Sequence, residues 1–173
     1  MLAEPLPRRW SHVQGVGRTA ESIADLVGDD GQLLACAAWL HDIGYSPDAS
    51  ASGFHALDGA RYLRDVEHAD DRLCRLVARH SCAYIEALNR GLTGQLAEFP
   101  PIDGLTADAL TYCDMTTTPD GGTTDVDFRL REIVDRYSDG DVVAESIKTA
   151  APEVRAAVDR VTAALAAKAG ESR

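Results

Sequence analysis

Basic residues are scarce in this sequence. In 173 residues, 17 Lys+Arg face 28 Asp+Glu, which leaves a formal net charge of −11. Gripping the phosphate backbone of a nucleic-acid polymer needs a basic stripe, and none is visible, so no such polymer is expected as a partner. Anionic membrane surfaces are disfavoured on the same ground. A small phosphorylated substrate stays open, because a metal ion or a few arginines can supply local positive charge. Long apolar runs are missing too. The longest, Leu33 to Leu40, falls far short of the ~20 residues that span a bilayer. The opening residues, MLAEPLPRRW, have no apolar core behind a basic start and do not read as a signal peptide, so a cytoplasmic protein is expected. Cysteines are few: Cys36, Cys74, Cys82 and Cys113, with no C-x-x-C pair. Reduced thiols are therefore expected, not a zinc knuckle or a disulfide framework.

Strand-like alternation is also absent, and helical periodicity takes its place. A first helix is expected over about residues 7–27, where Val16, Ala20, Ile23 and Val27 share a face. A second runs from about Gln32 to Ile43, and a loop from Gly44 to Gly53 can form the mouth of a pocket. Helices over about 54–65, 70–81 and 83–90 follow, and then a Gly/Pro-punctuated stretch up to Pro100-Pro101. Another helix spans about 106–116 with Thr106 as its N-cap, and Thr116 to Thr118 can line a pocket mouth. The C-terminal part reads as three helices, Asp127–Tyr137, Asp141–Ala150 and Pro152–Ala169, the last with its proline in the first turn. Its seam of Val154, Val158, Val161 and Leu165 is expected to pack on the body of the domain. The expected class is all-α, with one domain over residues 1–173.

Chemistry-bearing residues recur on the apolar faces. His12 is in line with Val16, Ala20 and Ile23, His41 with Leu34, Ala37 and Ala38, and His80 with Leu73, Leu76 and Val77. His55 opens a helix beside Phe54, and Asp114 follows Ala107, Leu110 and Thr111. Asp42 adjoins His41. Buried carboxylates are rare unless paired or metal-bound. Asp42 and Asp114 have no lysine near them in sequence, so they ask for cations, and two divalent ions with neutral imidazoles complete the balance. His and carboxylate together suit Fe, Mn, Zn or Co better than Ca or Mg. His68 lies in an acidic turn and reads as surface. Gly15-Val16-Gly17 has no preceding strand and is not a dinucleotide fingerprint, and Asp120-Gly121-Gly122 is a turn without calcium-loop spacing.

His41-Asp42-Ile43-Gly44, after Ala37-Ala38-Trp39-Leu40, resembles the signature of the HD superfamily of metal-dependent phosphohydrolases. Arg9-Trp10-Ser11-His12-Val13-Gln14-Gly15-Val16 is similar to that family's early-histidine helix, and Asp114 stands where its late aspartate would. The segments around His55 and His80 resemble those of the subset that holds two metals, and the resemblance covers about residues 9–116. It implies a helical bundle in which His12, His41, Asp42 and Asp114 bind one metal and Asp42 bridges to a second held by His55 and His80. It also implies two divalent ions per chain, Fe or Mn first, with Zn, Co and Ni as alternatives. His41 and Asp42 are the catalytic centre on this view, and water shared by the two ions is a hydroxide near neutral pH. Arg9, Arg61 and Arg79 are the candidates for holding substrate phosphate, by their proximity to His12, His55 and His80. The expected activity is hydrolysis of a nucleotide or another small phosphate ester or anhydride. The extra histidines are similar to those of bacterial HD proteins that cleave diadenosine tetraphosphate. Two departures from that group, the Gly91–Gly104 stretch and the Met115-Thr116-Thr117-Thr118 run after the late aspartate, border the pocket. The alternatives are a mixed-valent di-iron oxygenase of the same ligand set and a non-catalytic nucleotide-sensing module. Either a monomer or a homodimer is expected.

Overall fold

Proline opens the first helix, where its missing N–H costs nothing, and an apolar stripe carries it on. In this computed structural model, which describes residues 1–171, α1 spans Pro7–Ile23 and buries His12, Val13, Val16, Ala20 and Ile23. It stops short of the expected end, because residues 24–26 and 28–30 tighten into 3-10 turns that swing the chain into α2, Gly31–Leu40. A Cβ on Gly17 would come within 2.4 Å of the Trp39 ring, so the glycine lets α1 close against α2. That is the structural use of the Gly-Val-Gly run.

Helix α3 covers His55–Asp65, and α4 covers Asp71–Arg79. Asp70 caps α4 by accepting the Arg72 backbone N–H at 2.9 Å. Helices α5 (Ala83–Asn89), α6 (Thr93–Leu96) and α7 (Leu105–Met115) follow, then α8 (Val126–Asp135), capped by Asp125, and α9 (Val142–Glu171). The class is all-α: no strand occurs among the described residues, and Thr117 and Thr123 form an isolated bridge. Thr106 does not cap α7 but sits inside it, with its hydroxyl donating to Asp30 at 2.9 Å.

The largest departure is at the C-terminus. The two helices expected over 141–150 and 152–169 are one, with Pro152 inside it. An interior proline removes one helical bond and normally disfavours the helix. Here Pro152 is on the exposed face, where water is at hand for the carbonyl it leaves unpaired. The opposite face keeps its register through it, with Ala150, Val154, Ala157, Val158 and Val161 all buried. Each buried valine there contributes roughly 1.5–3 kcal/mol, enough together to hold the helix across the proline. The seam lands on the body as expected. Val161 joins the cluster of α1, α2 and α7, while Val154 and Val158 join Met115, Leu130 and Ile133. Helix α9 thus clamps α7 and α8 together. No helix among the described residues is long and apolar enough to cross a membrane.

Candidate metal centre

Six side chains from five places along the chain meet in the interior. His12 comes from the middle of α1, His41 and Asp42 from the turn closing α2, and His55 from the first residue of α3. His80 comes from the turn after α4, and Asp114 from the last turn of α7. His12, His41, Asp42, His80 and Asp114 are all buried. His12 Nε2 is 3.0 Å from Asp114 Oδ1, and His41 Nε2 is 4.0 Å from the same oxygen. The two Asp42 oxygens face different ways: Oδ2 lies 3.4 Å from His41 Nε2, and Oδ1 lies 3.6 Å from His55 Nε2. His55 Nε2 and His80 Nε2 are 3.2 Å apart. Two groups result, His12-His41-Asp42 and Asp42-His55-His80, each with ligand atoms within 4.8 Å of one another and with Asp42 common to both.

The backbone sets the chemistry of three of these rings. His12 Nδ1 is 3.1 Å from the Thr118 carbonyl, His41 Nδ1 is 2.7 Å from that of Ala38, and His80 Nδ1 is 2.6 Å from that of Val77. A carbonyl only accepts, so each Nδ1 carries the hydrogen. In the neutral ring the Nε2 is then a bare lone pair. Three lone pairs and two carboxylates aimed at one interior point repel one another unless cations lie among them. His41 Nε2 is buried with no hydrogen-bond partner. Nδ1–H fixed to a carbonyl and Nε2 left open is the arrangement that orients a histidine toward a metal. The residues present therefore fit divalent ions.

Burial alone disfavours charge on His41, but Asp42 and Asp114 outweigh it and push the imidazole up to about 9. Burial, then the positive field of His80, Arg9 and His41, outweighs Asp42 and holds His55 down to about 3. Burial would raise Asp42, yet Arg9 and His41 keep it well below the usual carboxylate range. Asp114 is likewise held low against burial by His12, His41 and Arg129. The metal-free protein therefore stores a proton on His41 where a cation belongs. Metal must displace it, so loading should release protons below pH 9, and affinity should rise with pH up to that point. The metal-free protein should behave oppositely. Its His41 pKa lies above the unfolded value of ~6.5, so that stabilisation is complete below pH ~6.5 and lost as pH rises toward 9. Calorimetric titration with Mn2+ in buffers of different ionisation enthalpy, with melting curves of the metal-free protein at pH 6.5 and 9, measures both signs.

Of the three arginines expected at phosphate, the structure brings in one. Arg9 Nη1 donates to Asp42 Oδ2 at 2.8 Å, and its guanidinium lies 4.0 Å over the Tyr45 ring, which stacks on His55. Arg61 turns outward to Glu98 and Gln95. Arg79 is spent on the carbonyls of Phe99 and Leu96. The expected mouth loop contributes Tyr45, and its remainder is tied down by Asp58, which accepts from Ala51, Ser52 and Gly53. Thr116 and Thr117 bond back to α7 carbonyls. His68 is exposed, as expected.

Four residues not foreseen stand at the centre: Ser81, Tyr45, Arg129 and Arg136. Ser81 sits at φ 49°, a left-handed conformation, and its hydroxyl donates to Asp114 Oδ2 at 2.5 Å. Arg129 is buried on α8, with Nη2 4.0 Å from Asp114 Oδ1. A cavity of about 80 Å³ adjoins the histidines and aspartates, and one of about 310 Å³ lies next to it beside His12, Leu6, Pro7 and Pro119. A larger cavity of about 580 Å³ touches the centre only at His80 and opens between α4, α7 and α9.

The model of the HD domain family matches residues 9–116, about three-fifths of the chain. A tRNA (cytidine(56)-2'-O)-methyltransferase of Picrophilus torridus is 39% identical over 84 residues, covering 47% of this chain and 24% of that protein. The chain thus spans about a quarter of the length of that relative. No solved structure matches the chain significantly.

Proposed function

The chain belongs to the HD-domain family, and from that premise we propose that it is a phosphohydrolase acting on a nucleotide or another small phosphate ester or anhydride. The observation that carries this reading is the convergence of six His and Asp side chains around an open His41 Nε2. In our assignment His12, His41, Asp42 and Asp114 hold one divalent ion, and Asp42, His55 and His80 hold the second. Fe and Mn suit this donor set, with Zn, Co and Ni as alternatives. Bound ions supply an activated water and neutralise phosphate charge. The chain's own residues do the rest. Backbone carbonyls at Thr118, Ala38 and Val77 fix the ring tautomers. Ser81 anchors the Asp114 oxygen that faces away from His12. Arg9 donates to Asp42 here, and with that carboxylate holding metal its planar fork would be free for a phosphate oxygen. The same assignment makes the partner a small molecule, not a nucleic-acid polymer.

The methyl transfer named for the Picrophilus torridus protein is not carried over, because about three-quarters of that protein lies outside the match. The test is metal content by mass spectrometry on protein purified without chelator. Phosphate release from mononucleotides, nucleoside diphosphates and dinucleoside polyphosphates, with oxygen uptake recorded alongside, completes it. We expect about two ions per chain and phosphate release without oxygen uptake. Substrate-dependent oxygen uptake would replace this reading with a di-iron oxygenase. Nucleotide binding with no turnover in reconstituted protein would replace it with a sensing module.

A further inference from the structure

We infer that Arg129, with Arg9 and Arg136, forms an anion clamp for phosphate beyond the group that is attacked, so that the substrate carries at least two linked phosphates. The inference rests on the phosphohydrolase reading above and narrows its substrate class. Arg129 is 4% exposed, yet its hydrogen-bonding capacity is not used up. Nη1 donates to Glu132 at 2.6 Å, and Nε has no partner. A guanidinium offers five donors, and leaving buried ones unmade is costly. Asp114 does not satisfy it: 4.0 Å from Nη2 is beyond a hydrogen bond.

Glu132 cannot neutralise the group either, because it also accepts from Arg136, at 3.0 and 2.6 Å. Its single charge is shared between two arginines. Arg9 draws on Asp42, a carboxylate assigned above to metal. Once Asp42 and Asp114 serve ions, three guanidinium charges face the one charge of Glu132. That surplus calls for an anion with several negative oxygens. Its position fits. Arg9, Arg129 and Arg136 line both the small cavity beside the ligands and the outer cavity of about 310 Å³. An anion reaching from the ligands to the outer cavity would therefore meet all three. Arg129 and Arg136 lie beyond residues 9–116, so the family match does not supply them.

The test compares methylphosphonate with methylenediphosphonate, neither of which is hydrolysed, by calorimetry on Mn2+-loaded protein at fixed free Mn2+. The wild type should bind the diphosphonate at least about tenfold tighter. Arg129→Met should reduce that ratio to about two or less while Mn2+ per chain stays unchanged. Should Arg129→Met not fold, Arg136→Met at the half-exposed rim should lower the ratio several-fold. Equal affinity for the two phosphonates in the wild type overturns the clamp, as does no binding of either. So does an unchanged ratio in a folded Arg129→Met, or in Arg136→Met where Arg129→Met does not fold. If phosphomonoesters are hydrolysed with no such ratio, the hydrolase reading stands and the clamp falls. If an Arg129-dependent ratio appears in a protein that releases phosphate from nothing, the clamp stands and the hydrolase reading falls.

Discussion

Asp42→Ala should empty the metal centre and abolish turnover together. Asp42 is the one residue common to both ligand groups, with Oδ2 toward His41 and Oδ1 toward His55. On the two-ion assignment proposed above, removing it would deprive each ion of a negative ligand and leave two sites of neutral imidazoles, one of them helped by Asp114. Bound metal should fall from about two per chain toward none. Phosphate release should fall on the order of 10³-fold or more, since activation of water by the ions is lost with them. Asp42→Asn is the informative partner. It preserves shape and an acceptor for Arg9 but removes the charge, so it should lose metal nearly as fully. Metal content by mass spectrometry, with circular dichroism to establish that the variants fold, decides the matter. Two ions retained in folded Asp42→Ala would remove Asp42 from its bridging role.

Much of this centre was legible because helical register tells which way a residue points. His12 shares a stripe with Val16, Ala20 and Ile23, and all four are buried. Adjacency in sequence is a poorer guide, and it misplaced two arginines. Successive residues on a helix are turned by about 100°, so Arg79 looks away from His80 toward the Leu96 and Phe99 carbonyls. Arg61 is six positions from His55, roughly 240° around α3, and faces Glu98. The same register argument would have found Arg129. It lies four before Ile133 and so shares the inward face of α8 with it, and Arg129, Leu130 and Ile133 are all buried. An arginine on an apolar stripe is the signal. Ser81 was less accessible. Its contact with Asp114 depends on left-handed backbone at Ser81 and Cys82, which no residue type there announces. Pro152 misled for a different reason: the local rule against interior proline is correct, and tertiary burial of the opposite face overrides it.

Gly44→Ala should be the most damaging small change outside the ligands. A Cβ on Gly44 would stand 1.9 Å from the His55 carbonyl oxygen and 2.6 Å from the Gly59 nitrogen. Those two atoms belong to the first turn of α3, so the methyl group would wedge into backbone that has no side-chain slack. The turn of residues 43–45 and the start of α3 must separate, by an ångström or more. Both carry the centre: His41 and Asp42 immediately precede that turn, and His55 is the first residue of α3. Overpacking of this kind costs about 3 kcal/mol, which for a chain of this size is roughly 6–12 °C in the melting midpoint. The ion assigned above to Asp42, His55 and His80 should be lost first, because those ligands lie on both sides of the wedge, taking metal from the proposed two per chain toward one. Gly94→Ala is the comparison, since no atom lies within 4 Å of a Cβ there and no positive φ is required. It should melt within about 2 °C of the wild type and keep its metal. Calorimetric melting with metal analysis separates the two variants. A Gly44→Ala protein that melts like Gly94→Ala and retains both ions would mean that α3 can shift without moving His55, and that the close backbone crossing does not hold the centre in register.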